Sequence, residues 1–309
     1  MKPIMNEPVL QVRDLSIFFS MYKRGFEKTV LNIVNSLSLD MYAGEIVAVV
    51  GSSGSGKSLL AHSILGILPN NASVTGSIHY CGEELSPERK AKYRGIEIML
   101  IPQSVDFLDP LMHIDKQVIG VHGKAEAQKK AFLRYGLKEE VGHMYPHQLS
   151  GGMARRVLIS MAVMGNPRLI VADEPTPGLD LDSAKETLSH FRELADSGVA
   201  ILLITHDVSI AMNVADRIAF FYAGMIIETA PAKDFKAGKD ALRHPYSKEF
   251  IDALPENSFR AGTGRQPCHC FSHDGCRFAE RCPIRTDECS GEIPMRPLRG
   301  GEVRCIHAT

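Results

Sequence analysis

The sequence predicts an α/β protein whose core is a mainly parallel sheet, and three features of the chain lead to that expectation. Four continuous apolar runs are rich in Val and Ile, as strands buried on both faces are. Helical patterns lie between these runs, and strands that alternate with helices form parallel sheets. A glycine-rich loop follows the first run directly. The predicted strands cover 46–50, 97–101, 169–172 and 199–204, and the predicted helices include 58–68 and 183–195.

The segments around this core follow other patterns. Residues 9–19 and 30–40 alternate apolar and polar side chains, as half-exposed antiparallel strands do, and 21–28 is the predicted loop between them. Residues 104–155 have a higher charge density and a helical pattern over 124–135, which predicts an inserted helical subdomain. We therefore expect one large domain over residues 1–255, with an antiparallel layer and a helical insertion added to the parallel core.

The C-terminal residues 256–309 have a different composition. A polar stretch rich in Gly and Pro covers 255–267, and the remainder has many Cys, Arg and Pro residues but few apolar ones. Such a segment cannot form a core of its own. It needs a staple, that is, a cross-link or strong contact that holds it in place. Six of the seven cysteines lie after residue 267, and in a reducing cytosol this favours metal ligation over disulfides.

The charge balance argues against a nucleic-acid partner. The chain has 309 residues, with 35 Lys and Arg against 36 Asp and Glu. A broad basic surface, which non-specific nucleic-acid binding requires, is therefore not expected. The first residues lack the apolar stretch of a signal peptide, and no apolar run approaches the roughly 18 residues of a membrane span. We expect a cytosolic chain that is held at a membrane only by partners.

The loop after the first predicted strand has the sequence of a phosphate-binding P-loop, in the required order of strand, loop and helix. Its backbone N–H groups and the N-terminus of the following helix would cradle the phosphates of a nucleotide. Lys57 would reach the β- and γ-phosphate oxygens, and the Ser58 hydroxyl would bind Mg²⁺. The motif consists of Gly51, Ser52, Ser53, Gly54, Ser55, Gly56, Lys57 and Ser58.

Two acidic residues follow the third predicted strand. Asp173 comes at the C-terminal edge of the sheet, where ligands of open α/β sheets collect, and is placed to hold Mg²⁺. Glu174 beside it is the candidate general base, because a carboxylate near the γ-phosphate can orient and deprotonate an attacking water. The sequence thus predicts a nucleoside triphosphatase.

A second candidate phosphate cradle precedes these acidic residues. It combines a serine with two glycines at the start of a helix, in Leu149, Ser150, Gly151, Gly152 and Met153. Two cradles in one chain suggest that each serves a different nucleotide. With these motifs in this order, the sequence resembles the ATP-binding subunits of ABC transporters, and the resemblance covers essentially the whole chain.

The resemblance implies roles for further residues. Gln103 matches the Q-loop glutamine, which contacts Mg²⁺ and lies beside the membrane subunits. Residues 149–153 resemble the signature motif, which contacts the ATP of a partner domain, with Met153 where Gln is more usual. Asp180 belongs to a D-loop in which Pro177 and Gly178 replace a commoner small pair, and His206 matches the switch histidine that touches the γ-phosphate.

The aromatic residue that would stack on adenine is less clearly marked. Tyr22 and Phe26 both lie in the predicted loop between the first two strands, and Phe18 and Phe19 are nearby. Tyr22 is the favoured candidate, with the others as alternatives.

The cysteine tail contains a possible metal site. Five, six and fifteen residues separate Cys276, Cys282, Cys289 and Cys305, spacings that match neither zinc fingers nor ferredoxins. Their flanking residues resemble the C-terminal extension of ATPases that power peptide and nickel ABC importers, in which four cysteines can hold a four-iron four-sulfur (4Fe–4S) cluster. A zinc site and free or disulfide-linked thiols are the alternatives. Cys268, His269 and Cys270 have no assigned role, and Cys81 is expected to be a small core residue in a strand.

The resemblance predicts an ATP-hydrolysing subunit of an importer for dipeptides or oligopeptides, with nickel or a nickel chelate as the alternative. It implies a second ATPase subunit, two transmembrane permease subunits and an extracytoplasmic solute-binding protein as partners, at the cytoplasmic face of the cell membrane. DNA-repair and translation-associated ATPases share the motifs. The short span between Lys57 and Leu149 leaves no room for the long coiled coil of the former. Translation-associated ATPases carry two such domains in one chain, whereas this chain has a single P-loop.

Overall fold

A computed structural model of the chain describes residues 7–22, 28–120, 123–255, 257, 264, 267 and 275–309. In chain order, its strands are β1 (Leu10–Tyr22), β2 (Lys28–Met41), β3 (Ile46–Val50), β4 (Ala72–Tyr80), β5 (Glu83–Glu84), β6 (Ile98–Ile101), β7 (Leu169–Asp173), β8 (Ala200–Thr205), β9 (Arg217–Tyr222), β10 (Met225–Pro231), β11 (Arg296–Leu298) and β12 (Gly301–Val303). The α-helices are α1 (Lys57–Leu65), α2 (Pro87–Tyr93), α3 (Ile114–Ile119), α4 (Ala125–Arg134), α5 (Gly151–Met164), α6 (Leu181–Asp196), α7 (Val208–Val214), α8 (Ala232–Lys236) and α9 (Pro245–Asp252).

The larger of the two sheets has eight strands in the order β11-β12-β10-β9-β3-β8-β7-β6. Its strands β9, β3, β8, β7 and β6 run parallel, which confirms the predicted parallel core. β3, β7 and β8 are buried throughout because apolar side chains cover both of their faces. Each predicted core strand matches an observed one within one residue at either end. β9 is a fifth parallel strand that was not predicted, since its run is aromatic rather than rich in Val and Ile.

The smaller sheet is antiparallel, in the order β2-β1-β4-β5, and confirms the predicted antiparallel layer. Its strands are longer than expected, because Tyr22 pairs with Lys28 at the end of the β1–β2 ladder. The prediction of a loop over 21–28 was therefore wrong at both ends, and 23–27 lie outside the described residues. Cys81 was predicted in a strand, but it lies in the turn between β4 and β5 with a φ of 50°.

Helix α1 ends earlier than predicted. Its C-cap, Gly66, adopts a left-handed conformation with a φ of 67°, and its N–H donates to the carbonyl groups of His62 and Ser63. This closes the helix at Leu65 rather than at 68, because a left-handed glycine directs the chain away from the helix axis.

Helices α3 and α4 and the first half of α5 form the helical insertion. They pack around a small apolar core that includes Ile114, Phe132 and Val157. α5 runs past the predicted boundary at residue 155, and its second half contributes Ile159 and Ala162 to the core of the larger sheet. One continuous helix therefore connects the insertion to the main sheet. No helix in the described ranges has the length and apolar content needed to cross a bilayer.

The C-terminal extension is joined to the larger sheet. β11 and β12 form a hairpin, and β12 pairs with β10 through Val303 and Glu228. Buried Arg243 donates to the Glu228 carboxylate and to the carbonyl groups of Leu298 (2.8 Å) and Arg299 (2.6 Å) in the hairpin. This Glu228–Arg243 pair is a staple within the described part of the extension that the sequence pattern did not predict.

Candidate nucleotide site

The glycine-rich motif forms the loop between β3 and α1. Gly54 and Gly56 have left-handed φ angles of 72° and 104°, which glycine adopts without steric strain. Gly51 packs directly against β9, where a Cβ atom would overlap the carbonyl oxygen of Phe221. The loop therefore needs its glycines both for its curvature and for its close contact with the sheet.

Lys57, the first residue of α1, is 5% exposed and folds back into the loop. Its Nζ donates to the carbonyl oxygens of Gly51 and Ser52, each at 2.8 Å. Burial lowers the pKa of Lys57, and the nearby carboxylates of Glu174 and Asp173 partly oppose that shift. A phosphate that entered the loop would offer this ammonium group a stronger, charged acceptor.

Asp173 ends β7 and is buried beside α1. The Ser58 hydroxyl donates to its carboxylate, while burial raises the pKa of Asp173. Its Oδ1 atom is buried and has no hydrogen-bond partner among the described residues. A hydroxyl and a carboxylate with an unused oxygen fit Mg²⁺, which prefers oxygen ligands. Ser58 and Asp173 would hold the ion, and Mg²⁺ bound there would neutralise phosphate charge.

Glu174 follows Asp173 with a left-handed φ of 47°, which is uncommon for a residue with a side chain. Its N–H donates to the carbonyl oxygen of Ile204 on β8, and its carboxylate lies at the cavity beside the loop. His206 donates from Nδ1 to Oε2 of Glu174 at 2.9 Å. The structure thus brings the candidate general base and the candidate switch histidine together.

A cavity of about 440 Å³ lies next to the P-loop. It contains Lys57, Ser58 and Glu174, together with Gln103, which follows β6. Its described lining residues are Phe19, Met21, Leu31, Ile33, Ser53, Gly54, Gly56, Lys57, Ser58, Leu59, Gln103 and Glu174. Candidate residues from three distant segments of the sequence therefore meet at one cavity.

The favoured adenine-stacking residue does not line this cavity among the described residues. Tyr22 is 64% exposed, and Lys28 Nζ lies 5.8 Å from the centre of its ring. Side chains alternate along a strand, so Phe19 and Met21 share the face of β1 that meets the cavity, and Tyr22 lies on the other face. The structure therefore favours Phe19, one of the alternatives, while Phe26 lies outside the described residues.

The second predicted phosphate cradle stands apart from this cavity. Ser150 caps α5, and its hydroxyl accepts from the N–H of Met153 at 3.2 Å. Gly151 and Gly152 form the first turn, and an added Cβ at either would meet no atom within 4 Å. Residues 149–153 do not contribute to the described lining of the P-loop cavity. The helix start is therefore open to a ligand or partner from outside the chain.

Asp180 has a local structural role. It caps α6 by accepting from the N–H groups of Asp182 and Ser183 and from the Ser183 hydroxyl. These hydrogen bonds lower the pKa of Asp180. Gly178, two residues before it, has a φ of 80°, so the unusual Pro–Gly pair makes a turn that glycine favours.

Known families match both parts of this architecture. Residues 34–177 match the ABC transporter family, and residues 227–289 match the C-terminal region of oligopeptide/dipeptide transporters. The dipeptide transport ATP-binding protein DppD of Bacillus subtilis (strain 168) is 33% identical, over 95% of this chain and 92% of that protein. This chain is an ABC transporter ATP-binding protein.

A further relative and a solved structure support the assignment of this ABC transporter ATP-binding protein to its family and fold. The oligopeptide transport ATP-binding protein OppD of Escherichia coli (strain K12) is 32% identical, over 96% of this chain and 92% of that protein. The fold resembles that of the dimeric, post-hydrolysis state of an ATP-binding cassette bound to ADP and Pi, with a TM-score of 0.62 and 23% identity. That match covers 72% of this chain and 98% of the cassette, and it confirms the predicted ABC ATPase fold. An ABC ATPase of this kind hydrolyses ATP for a transporter.

Four of the described cysteines lie in the C-terminal tail of this ABC protein. All five described cysteines are free thiols. Burial raises the pKa of Cys276 to about 11, and the thiols of Cys305, Cys282 and Cys289 add to the shift. Cys276 and Cys289 also line a cavity of about 320 Å³ with Arg277 and Arg285.

The described thiols do not form an assembled metal-ion site. Within residues 7–22, 28–120, 123–255 and 275–309, no three His, Cys, Asp or Glu side chains are grouped closely enough to hold a metal ion. The donor set has the chemistry of an iron–sulfur site, because such clusters are held by four thiolates. Cys268, His269 and Cys270 lie outside the described residues.

The sequence analysis ranked one residue of the candidate site too low and missed another. Phe19 was only an alternative, because β1 was predicted to end before Tyr22 and the alternation of its faces was not applied that far. Arg155 on α5 was not considered, yet it is buried and donates to the carbonyl groups of Pro102 and Gln103. The two consecutive arginines at 155 and 156, one residue beyond the segment 149–153, were the available signal.

Proposed function

We propose that this protein hydrolyses ATP to power the uptake of dipeptides or oligopeptides by a membrane importer. The match of residues 227–289 to the C-terminal region of oligopeptide/dipeptide transporters carries the proposal, because most of it lies beyond the motifs that all such ATPases share. The names of the Bacillus and Escherichia relatives also refer to dipeptide and oligopeptide transport. Neither name supports the nickel alternative.

The substrate can be identified by measuring which solute stimulates ATP hydrolysis. The chain should be purified with its membrane subunits in vesicles or nanodiscs, and the solute-binding protein added with a dipeptide, a longer peptide or a nickel chelate. We expect peptides to raise the ATPase rate and the nickel chelate to leave it at the basal value. Stimulation by the nickel chelate alone would replace the peptide assignment.

The proposed assembly contains a second ATPase subunit, two permease subunits and an extracytoplasmic solute-binding protein. It holds this chain at the cytoplasmic face of the cell membrane. The names of the relatives describe ATP-binding proteins of transport systems, which supports separate membrane-embedded partners. The near-neutral charge of the chain supports the expectation that nucleic acid is not a partner.

Within this function, the P-loop residues 51–58 bind the ATP phosphates and Phe19 stacks on the adenine ring. Glu174 acts as general base toward the attacking water. His206 orients that carboxylate and contacts the γ-phosphate. The location of Lys57, Gln103 and Glu174 at one cavity supports these roles, and the unused oxygen of Asp173 supports a Mg²⁺ site.

The signature segment 149–153 acts on the ATP of a partner domain. Its separation from the described lining of the P-loop cavity supports this role, as does the open space around Gly151 and Gly152. A helix N-terminus with accessible N–H groups suits a phosphate. Each composite site then combines the P-loop of one domain with the signature segment of the other.

The four cysteines Cys276, Cys282, Cys289 and Cys305 hold a 4Fe–4S cluster in this proposal, with Zn²⁺ as the alternative. Their mutual electrostatic influence and the cavity beside Cys276 and Cys289 support a shared site. Arg277 and Arg285 at that cavity would offset negative charge. A cluster bound there would crosslink a segment that has few apolar residues.

A further inference from the structure

A buried cation on the signature helix touches the loop of Gln103. Arg155 is 4% exposed, its Nη1 donates to the carbonyl oxygen of Pro102 at 2.6 Å, and its Nη2 donates to that of Gln103 at 2.8 Å. The two arms of the guanidinium thus bind consecutive carbonyl groups. Because the guanidinium group is a planar and rigid fork of N–H donors, these bonds fix the direction of the main chain at Gln103.

Fold stability gives no clear reason for this arginine. Within the described part of the chain, its guanidinium has two carbonyl partners and no carboxylate partner. Burial accordingly lowers the pKa of Arg155. A buried cation without a carboxylate partner has a desolvation cost that two hydrogen bonds to carbonyl groups offset only in part. The position of the Gln103 loop is the feature that the arginine controls.

We propose that Arg155 is a positioning residue that ties Gln103 to the signature segment. Ser150 caps α5 and Arg155 lies little more than one turn further along the same helix. A displacement of the helix N-terminus therefore moves the carbonyl partners of Arg155. Gln103 lines the cavity of this chain's own P-loop, whereas Ser150 is not among the described residues that line it.

The inference rests on the proposed function, in which residues 149–153 contact the partner's ATP. Arg155 then connects the two half-sites that one chain contributes to two different nucleotides. Engagement of the signature segment would set the position of Gln103 at the other site. This connection uses one side chain and two hydrogen bonds, so substitution can remove it without altering a nucleotide contact.

The test compares Arg155→Met with Arg156→Met in the assembled transporter. Arg156 is the matched control, because it lies on the same helix but pairs with Glu186 at 3.3 Å. We expect Arg155→Met to lower the ATPase rate about 10-fold, as loss of positioning does, and to raise the Mg²⁺ concentration needed for half-maximal rate. ATP binding by the full-length chain should stay unchanged, and Arg156→Met should leave the rate, the Mg²⁺ requirement and ATP binding near the wild-type values.

A double-mutant cycle separates positioning from a structural role. If Arg155 acts through Gln103, then Arg155→Met should add no further loss to Gln103→Ala. Arg155→Lys keeps the charge without the fork, so it should recover part of the rate. If Arg155→Met does not fold, the same cycle is run with Arg155→Lys.

Two results would overturn the inference alone. One is a slow Gln103→Ala enzyme beside a normal Arg155→Met enzyme. The other is losses that multiply in the double variant. A normal rate for Gln103→Ala would instead overturn the proposed role of Gln103 in the site, and the inference with it.

Discussion

Nδ1 of His206 lies 2.9 Å from Oε2 of Glu174, and the two side chains form a hydrogen bond across the ends of β8 and β7. A carboxylate can only accept, so Nδ1 carries the proton. Glu174 is mostly buried whereas the His206 side chain is 55% exposed. The histidine therefore holds the carboxylate at the cavity and remains able to meet a ligand from the solvent side.

The general-base role of Glu174 predicts the effect of Glu174→Gln. The amide keeps the size of the side chain and can still bond to His206, but it cannot take a proton from water. We expect the rate of ATP hydrolysis by the assembled transporter to fall roughly 10²–10⁴-fold, while ATP binding to the chain persists. Single-turnover hydrolysis and equilibrium nucleotide binding measure the two quantities.

Glu139→Gln is a suitable control for that experiment. Glu139 forms a surface ion pair with Lys129 and its side chain is 70% exposed, so the amide should leave hydrolysis unchanged. Turnover of Glu174→Gln within a factor of about 3 of wild type would contradict the assignment, since general-base catalysis contributes far more than that.

The buried carboxyl of Asp173 predicts a gain in stability when its charge is removed. Its pKa is raised by burial, so the folded state holds the proton more tightly than the unfolded state does. The free energy of unfolding therefore falls as the pH rises from the unfolded pKa through the folded pKa, and the loss persists at neutral pH. Asp173→Asn should raise the Tm of nucleotide-free protein at pH 7, on the order of 2–4 °C.

The same substitution should weaken Mg²⁺-dependent ATP binding, and its gain in Tm should vanish below about pH 4. Asp180→Ala provides a contrast of opposite sign. Hydrogen bonds lower the pKa of Asp180, so its contribution to stability is present at neutral pH and is lost as the pH falls through the folded pKa. Its removal should lower the Tm at pH 7. A lower Tm for Asp173→Asn at that pH would contradict the prediction.

The open space around Gly152 predicts that an alanine at this position would disturb contact with the partner domain without disturbing folding. An added Cβ meets no atom of the described chain, and alanine is a better helix former than glycine. Gly152→Ala should therefore leave the Tm and ATP binding of the isolated chain unchanged or slightly improved. In the assembled pair of ATPase domains it should lower hydrolysis, because the methyl group would occupy the space needed by the partner's nucleotide.

Lys57→Met is the complementary variant, since Lys57 belongs to the chain's own P-loop. It should abolish ATP binding by the isolated chain, which Gly152→Ala does not. An isolated, strictly monomeric chain with the full ATPase rate of the transporter would disprove shared sites.

Much of the nucleotide site could be predicted because its signals are local. β3, β7 and β8 are short apolar runs, and the candidate residues Gly51 and Asp173 lie at or directly beyond the ends of two of them. Parallel strands deliver such residues to one edge, so their proximity follows from the fold class. The loop glycines were likewise visible as a motif.

The contacts that were missed depend on distant parts of the chain. Arg155 reaches Pro102 across 53 positions, and periodicity does not reveal which residue of a helix faces a given loop. β11 and β12 have three residues each, too few for an alternating pattern. Their place in the sheet comes from pairing with β10 and from the buried Glu228–Arg243 pair.

That buried pair predicts how the C-terminal extension can be detached. Arg243→Ala removes the guanidinium from Asp234 and from the buried Glu228 carboxylate, which keeps the main-chain N–H groups of positions 243 and 244 as donors. Losing one partner of a buried pair costs up to about 3–5 kcal/mol. The hairpin carbonyl groups of Leu298 and Arg299 also lose their donor. We expect limited proteolysis to cleave the chain near the hairpin and the Tm to fall.

Lys239→Ala is the control for that variant. Lys239 forms a partly exposed pair with Asp252 at 2.8 Å, and such pairs contribute about 0–1 kcal/mol. An Arg243→Ala chain that is as protease-resistant as Lys239→Ala would show that strand pairing alone holds the extension.

The four thiols of the tail predict a bound metal centre. The segment after Pro267 has few apolar residues, while ordering the chain costs roughly 1–2 kcal/mol per residue. Metal–thiolate bonds can supply the difference, because binding a metal also stabilises the fold. Protein purified without oxygen should be brown and contain iron and acid-labile sulfide. Cys282→Ser should remove the colour and make the tail sensitive to protease, while ATP still binds.

Cys81→Ser is the matched control, because Cys81 is a half-buried thiol in the turn between β4 and β5, in a separate part of the fold from the tail. It should keep the colour and the iron. The metal content decides between the two kinds of site: stoichiometric zinc without iron would replace the cluster by a four-thiolate zinc site. A protease-resistant tail in protein that contains no metal would exclude both, and the Glu228–Arg243 pair would then be the main staple of the extension.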